Sequence, residues 1–210
     1  MRKIDTGLGR EIDEATEELY ALYDRAAIEW FAGLWDGDIG GFYYSNSARD
    51  HEGFLPDIES TCQALGALGA VCDSTPWGGF DNALSDAMKK KIAGFVESLE
   101  SEDGYFYHPQ WGKNISVNRQ SRDVDTCARI LRMLGRKTKY VLPTKNESSA
   151  EGKYDMKCAP ERYRSLENWL TYLETLNIKE NSYYAGSTLL AQRPQIIAYG
   201  EAIGEDLYNI

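Results

Sequence analysis

The chain has 210 residues, 42% of them hydrophobic, and its 33 acidic and 23 basic side chains give a formal net charge of −10. That hydrophobic content suffices for a globular core, whereas the acidic balance argues against nucleic acid as a partner, since nucleic-acid binding depends on clustered Lys and Arg. The longest apolar run is residues 64–72, far short of the roughly 20 residues that cross a bilayer. We therefore expect no membrane span.

The N-terminal sequence and the cysteines both bear on the compartment. MRKIDTGLGREIDEATEELY has two early basic residues but no apolar segment after them, unlike a secretory signal. The cysteines show no Cys-x-x-Cys spacing, so reduced, buried thiols are expected rather than a disulfide framework. They are Cys62, Cys72, Cys127 and Cys158. The sequence therefore predicts a cytoplasmic protein.

Three amphipathic segments predict helices in chain order. Apolar residues recur every three or four positions in each segment, with polar residues between them, which is the helical period. The three rows are Ile12, Ala15, Leu19, Leu22, Tyr23, Ala26, Trp30 and Leu34; then Leu84, Met88, Ile92, Phe95 and Leu99; then Leu166, Trp169, Leu170, Leu173 and Leu176. We expect each row to face the core. The sequence NSYYAGS at 181–187 is expected to form a loop after the third row. The apolar segment that follows contains Pro194, which should kink or divide its helix.

Two stretches of the sequence repeat one another. DIEST at 57–61 aligns with DVDTC at 123–127, and the aromatic loops upstream, GGFYY at 40–44 and DGYFY at 103–107, also correspond. Repetition of this kind indicates stacked supersecondary units. The sequence therefore predicts an all-α domain over residues 1–210 with about three consecutive helical hairpins. Their approximate ranges are 12–70, 81–136 and 160–205, and the third is the weakest match.

The aromatic turns and the Asp-led segments after them resemble the repeats of protein prenyltransferases and of squalene and hopene cyclases. GLWDGDIGGFYY at 33–44 and SLESEDGYFY at 98–107 carry the likeness. The resemblance implies an α/α toroid, a ring of helical hairpins that six-hairpin glycosidases and polysaccharide lyases also have. A complete ring needs more than three hairpins. The resemblance therefore implies a homo-oligomer, or association with a missing second half of the ring.

Four acidic residues at the predicted helix starts have two interpretations. Asp57 and Asp123 stand at expected N-cap positions, and Glu59 and Asp125 fall in the first turn, where the helix dipole favours acids. The other interpretation is catalytic and comes from the resemblance. DVDTC is similar to the Asp-x-Asp-Asp-Thr motif of hopene cyclases, which would make Asp125 a proton donor and Asp123 its neighbour.

The prenyltransferase resemblance also raises a zinc site. That family holds zinc with an Asp-x-Cys pair and a downstream His, and Asp125 and Cys127 match the pair. Both histidines, His51 and His108, lie upstream instead. We therefore expect neither a metal nor another cofactor.

The loops offer candidate ligand-binding side chains. Aromatic rings suit sugars or isoprenoid chains, although packing within the turns would explain them equally. They are Tyr43, Tyr44, Tyr105, Tyr107 and Trp111. His108 could act as a general acid or base, or simply hold the loop. Glu59 and Asp125 could flank one sugar, as paired carboxylates do in glycosidases.

The sequence thus predicts a protein that binds an apolar or sugar-like small molecule in an acidic, aromatic-lined cavity. Acid catalysis would fall to Asp125, with Asp123, Glu59, Asp57 and His108 as further candidates. Two alternatives stay open. One is a carbohydrate-active hydrolase or lyase of the six-hairpin type, and the other is a non-catalytic interaction scaffold.

Overall fold

The computed structural model describes residues 4–21, 25–73 and 84–210. These residues are mostly helical, as predicted for an all-α protein. None of the helices among them combines the length and the apolar character that a bilayer crossing requires. The chain divides into two compact units, residues 1–95 and 96–210, and the boundary falls inside the second predicted hairpin.

The first unit combines helices with one small hairpin. Its elements are α1 (Arg10–Ala21), α2 (Arg25–Gly33), β1 (Trp35–Asp36), β2 (Gly41–Phe42), α3 (Asn46–Arg49), α4 (Ile58–Asp73) and most of α5 (Asp86–Ser98). In the antiparallel hairpin Trp35 pairs with Phe42, and Asp36 pairs with Gly41. Phe42, Ile58, Leu65 and Ile92 are almost completely buried, so β2, α4 and α5 supply the core of this unit.

The apolar row of the first two helices is largely exposed. Ile12, Leu19 and Trp30 are 45%, 54% and 45% exposed, and α2 has no buried residue. Leu22 and Tyr23, from the same predicted row, lie outside the described residues. The prediction that this row faces the core is therefore wrong for these three residues. Amphipathic spacing decides which residues share a face, but not whether anything packs on it.

The second unit is built around two long helices. It contains the end of α5, α6 (Val117–Met133), two 3₁₀ turns (Met156–Cys158 and Glu161–Tyr163), α7 (Leu166–Thr175) and α8 (Ser182–Ile203). Helix α6 packs against α8. A second group of core residues gathers around the 3₁₀ turns, α7 and α8, and comprises Ala159, Tyr163, Trp169, Ile196, Tyr199 and Leu207.

Helix α8 runs through Pro194 without being divided, so of the two outcomes predicted for this proline, division is wrong. The helix also begins earlier than the sequence suggested, because Asn181 caps it by accepting from the Tyr184 N–H at 3.1 Å. The predicted loop NSYYAGS is therefore its first turns. The helix ends at Gly204, whose φ of 76° is the left-handed conformation typical of a C-terminal cap.

The two aromatic turns share one backbone plan. The Leu34 carbonyl accepts from the Tyr43 N–H at 2.9 Å, and the Leu99 carbonyl accepts from the Tyr107 N–H at the same distance. Glu100 is bridged to Phe106, just as Trp35 pairs with Phe42. The predicted repeat of these turns is confirmed, but its register differs by one residue. Tyr107 is equivalent to Tyr43, which the sequence alignment had placed opposite Phe106.

The cysteines follow the sequence prediction in part. Cys62 and Cys127 are buried thiols outside any disulfide, whereas Cys158 is exposed. Cys72 lies outside the side chains that the structure describes. The prediction of burial is therefore wrong for Cys158, which ends the 3₁₀ turn Met156–Cys158 rather than lying inside an apolar helix.

Candidate functional site

The acids of the first repeat are located at the start of α4, as predicted. Asp57 Oδ1 accepts from the Ser60 N–H at 2.9 Å, and its Oδ2 accepts from the Ser60 hydroxyl at 2.6 Å. This is N-cap geometry, so the capping prediction is confirmed for Asp57. Glu59 lies in the first turn and accepts a hydrogen bond from Gln63 Nε2 at 3.3 Å.

The acids of the second repeat are not located at a helix start. Helix α6 begins at Val117, and its cap is Ser116, whose Oγ accepts from the Arg119 N–H at 3.2 Å. Asp123 and Asp125 lie well inside the helix, so the N-cap prediction is wrong for Asp123. The extra turns have the polar sequence VNRQSRD, which shows little apolar periodicity from which a helix could be predicted.

Asp123 and Asp125 differ sharply in environment. Asp123 is 1% exposed, and its Oδ1 lies 2.8 Å from Arg119 Nε. Asp125 is exposed to solvent. A proton donor of the predicted kind is normally buried in apolar surroundings or beside a second carboxylate. Among these two acids, the buried one is therefore held in an ion pair, and the exposed one lacks the surroundings of a general acid.

The loop before α6 stacks its aromatic side chains on the helix. The rings of His108 and Trp111 are stacked with centroids 4.5 Å apart, and the Arg119 guanidinium lies 5.1 Å from the Trp111 centroid. His108 is fully buried, and its Nδ1 accepts from the Gln110 N–H at 3.2 Å. That bond places the proton of a neutral imidazole on Nε2. His108 thus fixes the loop, in the structural role that the sequence left open.

Tyr107, the residue before His108, is in a polar setting. Its hydroxyl donates to Asp103 Oδ2 at 2.9 Å and accepts from Gln120 Nε2 at 3.1 Å. Lys113 Nζ lies 4.7 Å from the ring centroid. Burial, and then the bond to Asp103, raise the pKa of Tyr107 well above its ordinary value. The phenol therefore stays protonated at physiological pH and is available only as a hydroxyl group.

Tyr105 belongs to the core instead. It is 1% exposed, and its hydroxyl lies 2.8 Å from the Tyr199 hydroxyl. Tyr154 extends this network, because it receives a hydrogen bond from Tyr199 at 3.4 Å and donates to the Asp103 carbonyl at 2.7 Å. Burial raises the pKa of Tyr105 well above its ordinary value and that of Tyr154 to about 12. Tyr105 therefore packs within the turn rather than facing a ligand.

The aromatic candidates of the first unit are in its own turn. Tyr43 is half-buried and donates to Asp36 Oδ2 at 3.1 Å, while Tyr44 is 74% exposed. The Tyr43 bond to Asp36 is the counterpart of the Tyr107 bond to Asp103. This bond stabilises the turn, so a structural role within the turn explains Tyr43.

The structure thus brings three predicted residues of the second unit together with a buried acid. We call the set formed by Tyr107, His108, Trp111, Arg119 and Asp123 the Trp111 site. Sequence reasoning missed Arg119, although its spacing of four residues from Asp123 is the signal of a helical ion pair. Lys113 and Gln120 beside Tyr107 were also missed, because residues of these types are common on any surface.

Within the described part of the chain, no group of three His, Cys, Asp or Glu side chains is arranged to hold a metal ion. Comparison of the sequence and fold with protein-family models, curated proteins and solved structures returns no match. Only its own side chains therefore indicate what the Trp111 site can do.

Proposed function

We propose that the second unit binds a sugar-like small molecule at the Trp111 site. The observation that carries this proposal is that two rings, Trp111 and Tyr107, are partly exposed and have charged and amide groups around them. Arg119 lies over the Trp111 ring, Lys113 lies over the Tyr107 ring, and the Gln120 amide donates to the Tyr107 hydroxyl. Sugars present apolar C–H faces that pack on aromatic rings and hydroxyls that bond to polar groups nearby. Lys113 covers Tyr107 through a mostly exposed side chain, so a ligand displaces it at little cost. His108 and Arg119 lie against the Trp111 ring, so a ligand contacts the part of that ring which they leave exposed.

The polar surroundings favour a sugar over an isoprenoid chain. An apolar chain requires a pocket lined by hydrocarbon, since every polar group that it covers loses its bond to water. Around the two rings lie instead Gln120, Asp103, Lys113 and the ion pair of Arg119. Each of these can exchange a hydrogen bond with a ligand hydroxyl.

Asp123 has a positioning role in this proposal. It holds Arg119, and Arg119 in turn lies against the Trp111 ring. An ion-paired carboxylate accepts hydrogen bonds and does not donate a proton. The proposed function is therefore binding, with no acid catalysis assigned to Asp123.

Replacing Trp111 by Ala should weaken binding by about fivefold or more, because the stacking of a ligand on one aromatic ring contributes about 1 kcal/mol or more. The measurement is calorimetric titration with a panel of neutral oligosaccharides, such as cellotetraose, xylotetraose and chitotetraose. Tyr44→Ala is the matched control, since it removes an exposed aromatic ring from the turn of the other unit. Equal losses in both variants, or no oligosaccharide bound by the wild type, would refute the proposal.

Acid catalysis by Asp125, in a terpenoid cyclase, a glycosidase or a lyase, is a second candidate, supported by the sequence resemblance alone. Its test is Asp125→Asn, which should abolish turnover of an isoprenoid or glycan substrate while leaving the fold intact. An unchanged rate would exclude it.

We further propose that the hairpins form part of an α/α toroid in a cytoplasmic protein, and that the chain self-associates. The exposed side chains of Ile12, Leu19 and Trp30 support association, because large apolar side chains exposed on a surface commonly mark an interface. A non-catalytic scaffold would use the same surface for a different protein.

Light scattering after size exclusion should therefore show a species larger than the 23.7 kDa monomer. Replacing Leu19 by Glu should shift the population toward monomer, since a charge at a buried apolar contact is costly. Glu18→Gln, at the neighbouring exposed position, is the control. A monodisperse wild-type monomer that binds no hydrophobic dye would contradict the association.

A further inference from the structure

Arg162 carries two buried N–H groups that bond to nothing in the described structure. Its Nε and Nη2 atoms are shielded from solvent and have no hydrogen-bond partner among the described residues. Leaving a charged donor buried and unbonded is costly, and such groups are rare in native proteins. The two unbonded nitrogens of Arg162 therefore require an explanation.

The two nitrogens share one edge of the guanidinium plane. Nε and Nη2 direct parallel N–H bonds to the same side, which is the arrangement that meets both oxygens of a carboxylate. The neighbouring aromatic rings do not act as hydrogen-bond acceptors for these two nitrogens. Tyr163 and Tyr172 lie 4.6 Å and 5.6 Å from the guanidinium carbon in cation–π contacts, and a ring offers a guanidinium no lone-pair acceptor at its N–H edge.

A third unbonded donor belongs to the same cluster. Trp169 packs on the same two tyrosines, with ring centroids 5.6 Å from Tyr163 and 5.4 Å from Tyr172. It is 2% exposed, and its Nε1–H has no partner among the described residues. The cluster thus contains three N–H donors without acceptors around one pair of phenol rings.

The phenol oxygens are already occupied by Gln192. The Tyr163 hydroxyl donates to Gln192 Oε1, and Gln192 Nε2 donates to the Tyr172 hydroxyl at 3.0 Å. Burial raises the pKa of Tyr163 to about 12, although the charge of Arg162 and a hydrogen bond between the two side chains oppose the rise. Both phenols therefore stay neutral, and neither neutralises the guanidinium.

The segment around Arg162 is locally basic in an acidic chain. Residues 153–164 contain four basic side chains, Lys153, Lys157, Arg162 and Arg164, against the two acids Asp155 and Glu161. Arg164 is used structurally, since its Nε donates to the Ala159 carbonyl at 2.9 Å. The local charge thus favours an anion although the whole chain repels one.

We propose that Arg162 and Trp169 form a binding site for a carboxylate group of a small ligand. The Nε and Nη2 edge of Arg162 binds both carboxylate oxygens, and the Trp169 indole N–H supplies a further donor to the cluster. Arg162 is only partly buried as a residue, although its Nε and Nη2 atoms are shielded from solvent. Binding of the carboxylate therefore requires the Arg162 side chain to rotate.

The test is NMR titration of the full-length protein with acetate and with malonate, against chloride at matched ionic strength. Each carboxylate should shift both the Arg162 Nε–Hε and the Trp169 indole resonances. For a given carboxylate, the two resonances should give the same dissociation constant. Arg162→Gln should weaken malonate binding by about tenfold or more, because hydrogen bonds to charged groups are the strong ones. Arg193→Gln is the control, since Arg193 is an exposed arginine stacked on Tyr208.

Three results would overturn the proposal. They are an absence of any carboxylate-specific shift in the wild type, equal weakening in the two arginine variants, and phosphate binding as tight as that of malonate. The wild-type titration decides the matter even if Arg162→Gln fails to fold. Trp169→Phe then provides the second variant, since it keeps a ring against Tyr163 and removes only the N–H donor.

Discussion

Gly104→Ala is expected to destabilise the protein by about 3 kcal/mol or more. Gly104 has a φ of 75°, where a residue with a Cβ loses about 1–2 kcal/mol. The added Cβ would also lie 2.5 Å from the Val141 carbonyl oxygen, which requires one of the two backbone segments to shift. Urea unfolding of the variant and the wild type measures the difference.

Gly112→Ala separates the two causes. Gly112 also has a positive φ, 56°, but an added Cβ would meet no atom within 4 Å. Its replacement should therefore cost only about 1 kcal/mol, the conformational part. If both variants were destabilised equally, the close approach of the turn to Val141 would be disproved. The comparison matters for function, since Gly104 lies between Asp103 and the aromatic side chains of the turn.

Arg119→Gln should cost about 3–5 kcal/mol in the free energy of unfolding. The Asp123 side chain is 2% exposed and Arg119 is 25% exposed, so replacing the arginine removes a positive charge 2.8 Å from a buried carboxylate. Breaking a buried ion pair from one side is strongly destabilising for this reason. The substitution should also release Trp111, whose ring lies against the guanidinium.

Two further variants allow the loss of stability to be ranked across the three positions. Asp123→Asn should cost less than Arg119→Gln, because it leaves no buried carboxylate and the arginine can reach water. Asp125→Asn should change stability by less than about 0.5 kcal/mol, as expected at an exposed position. Denaturant unfolding of all three variants checks the order. A large loss of stability at Asp125 and a small loss at Arg119 would contradict our account, in which Asp123 is the buried, ion-paired acid and Asp125 is exposed.

Much of the secondary structure could be predicted from the sequence. The rows beginning at Leu84 and Leu166 correspond to α5 and α7, and the repeat of aromatic turns is present. These predictions succeeded because hydrophobic periodicity and turn chemistry are local properties. The start of α6 could not be predicted in this way. A single Ser116 cap begins that helix, and polar residues fill its first turns.

The candidate site was predicted less well than the fold. Tyr107, His108 and Trp111 were among the candidate side chains predicted in the loops, but Tyr105 proved to be a core residue and Asp125 an exposed one. Which acid of an Asp-x-Asp pair is buried depends on how the helix is rotated against its neighbours. Sequence spacing does not specify that rotation when the cap is misplaced by two turns.

The most direct test of sugar binding at the Trp111 site is an NMR titration of the uniformly labelled protein with the oligosaccharide panel. We expect saturable shifts of the Trp111 indole, the Gln120 side-chain amide and the backbone amides around Tyr107 with at least one oligosaccharide, while the signals of Tyr44 in the other turn stay fixed. Shifts confined to other residues, or shifts with an isoprenoid alcohol and none with any sugar, would contradict the proposed function.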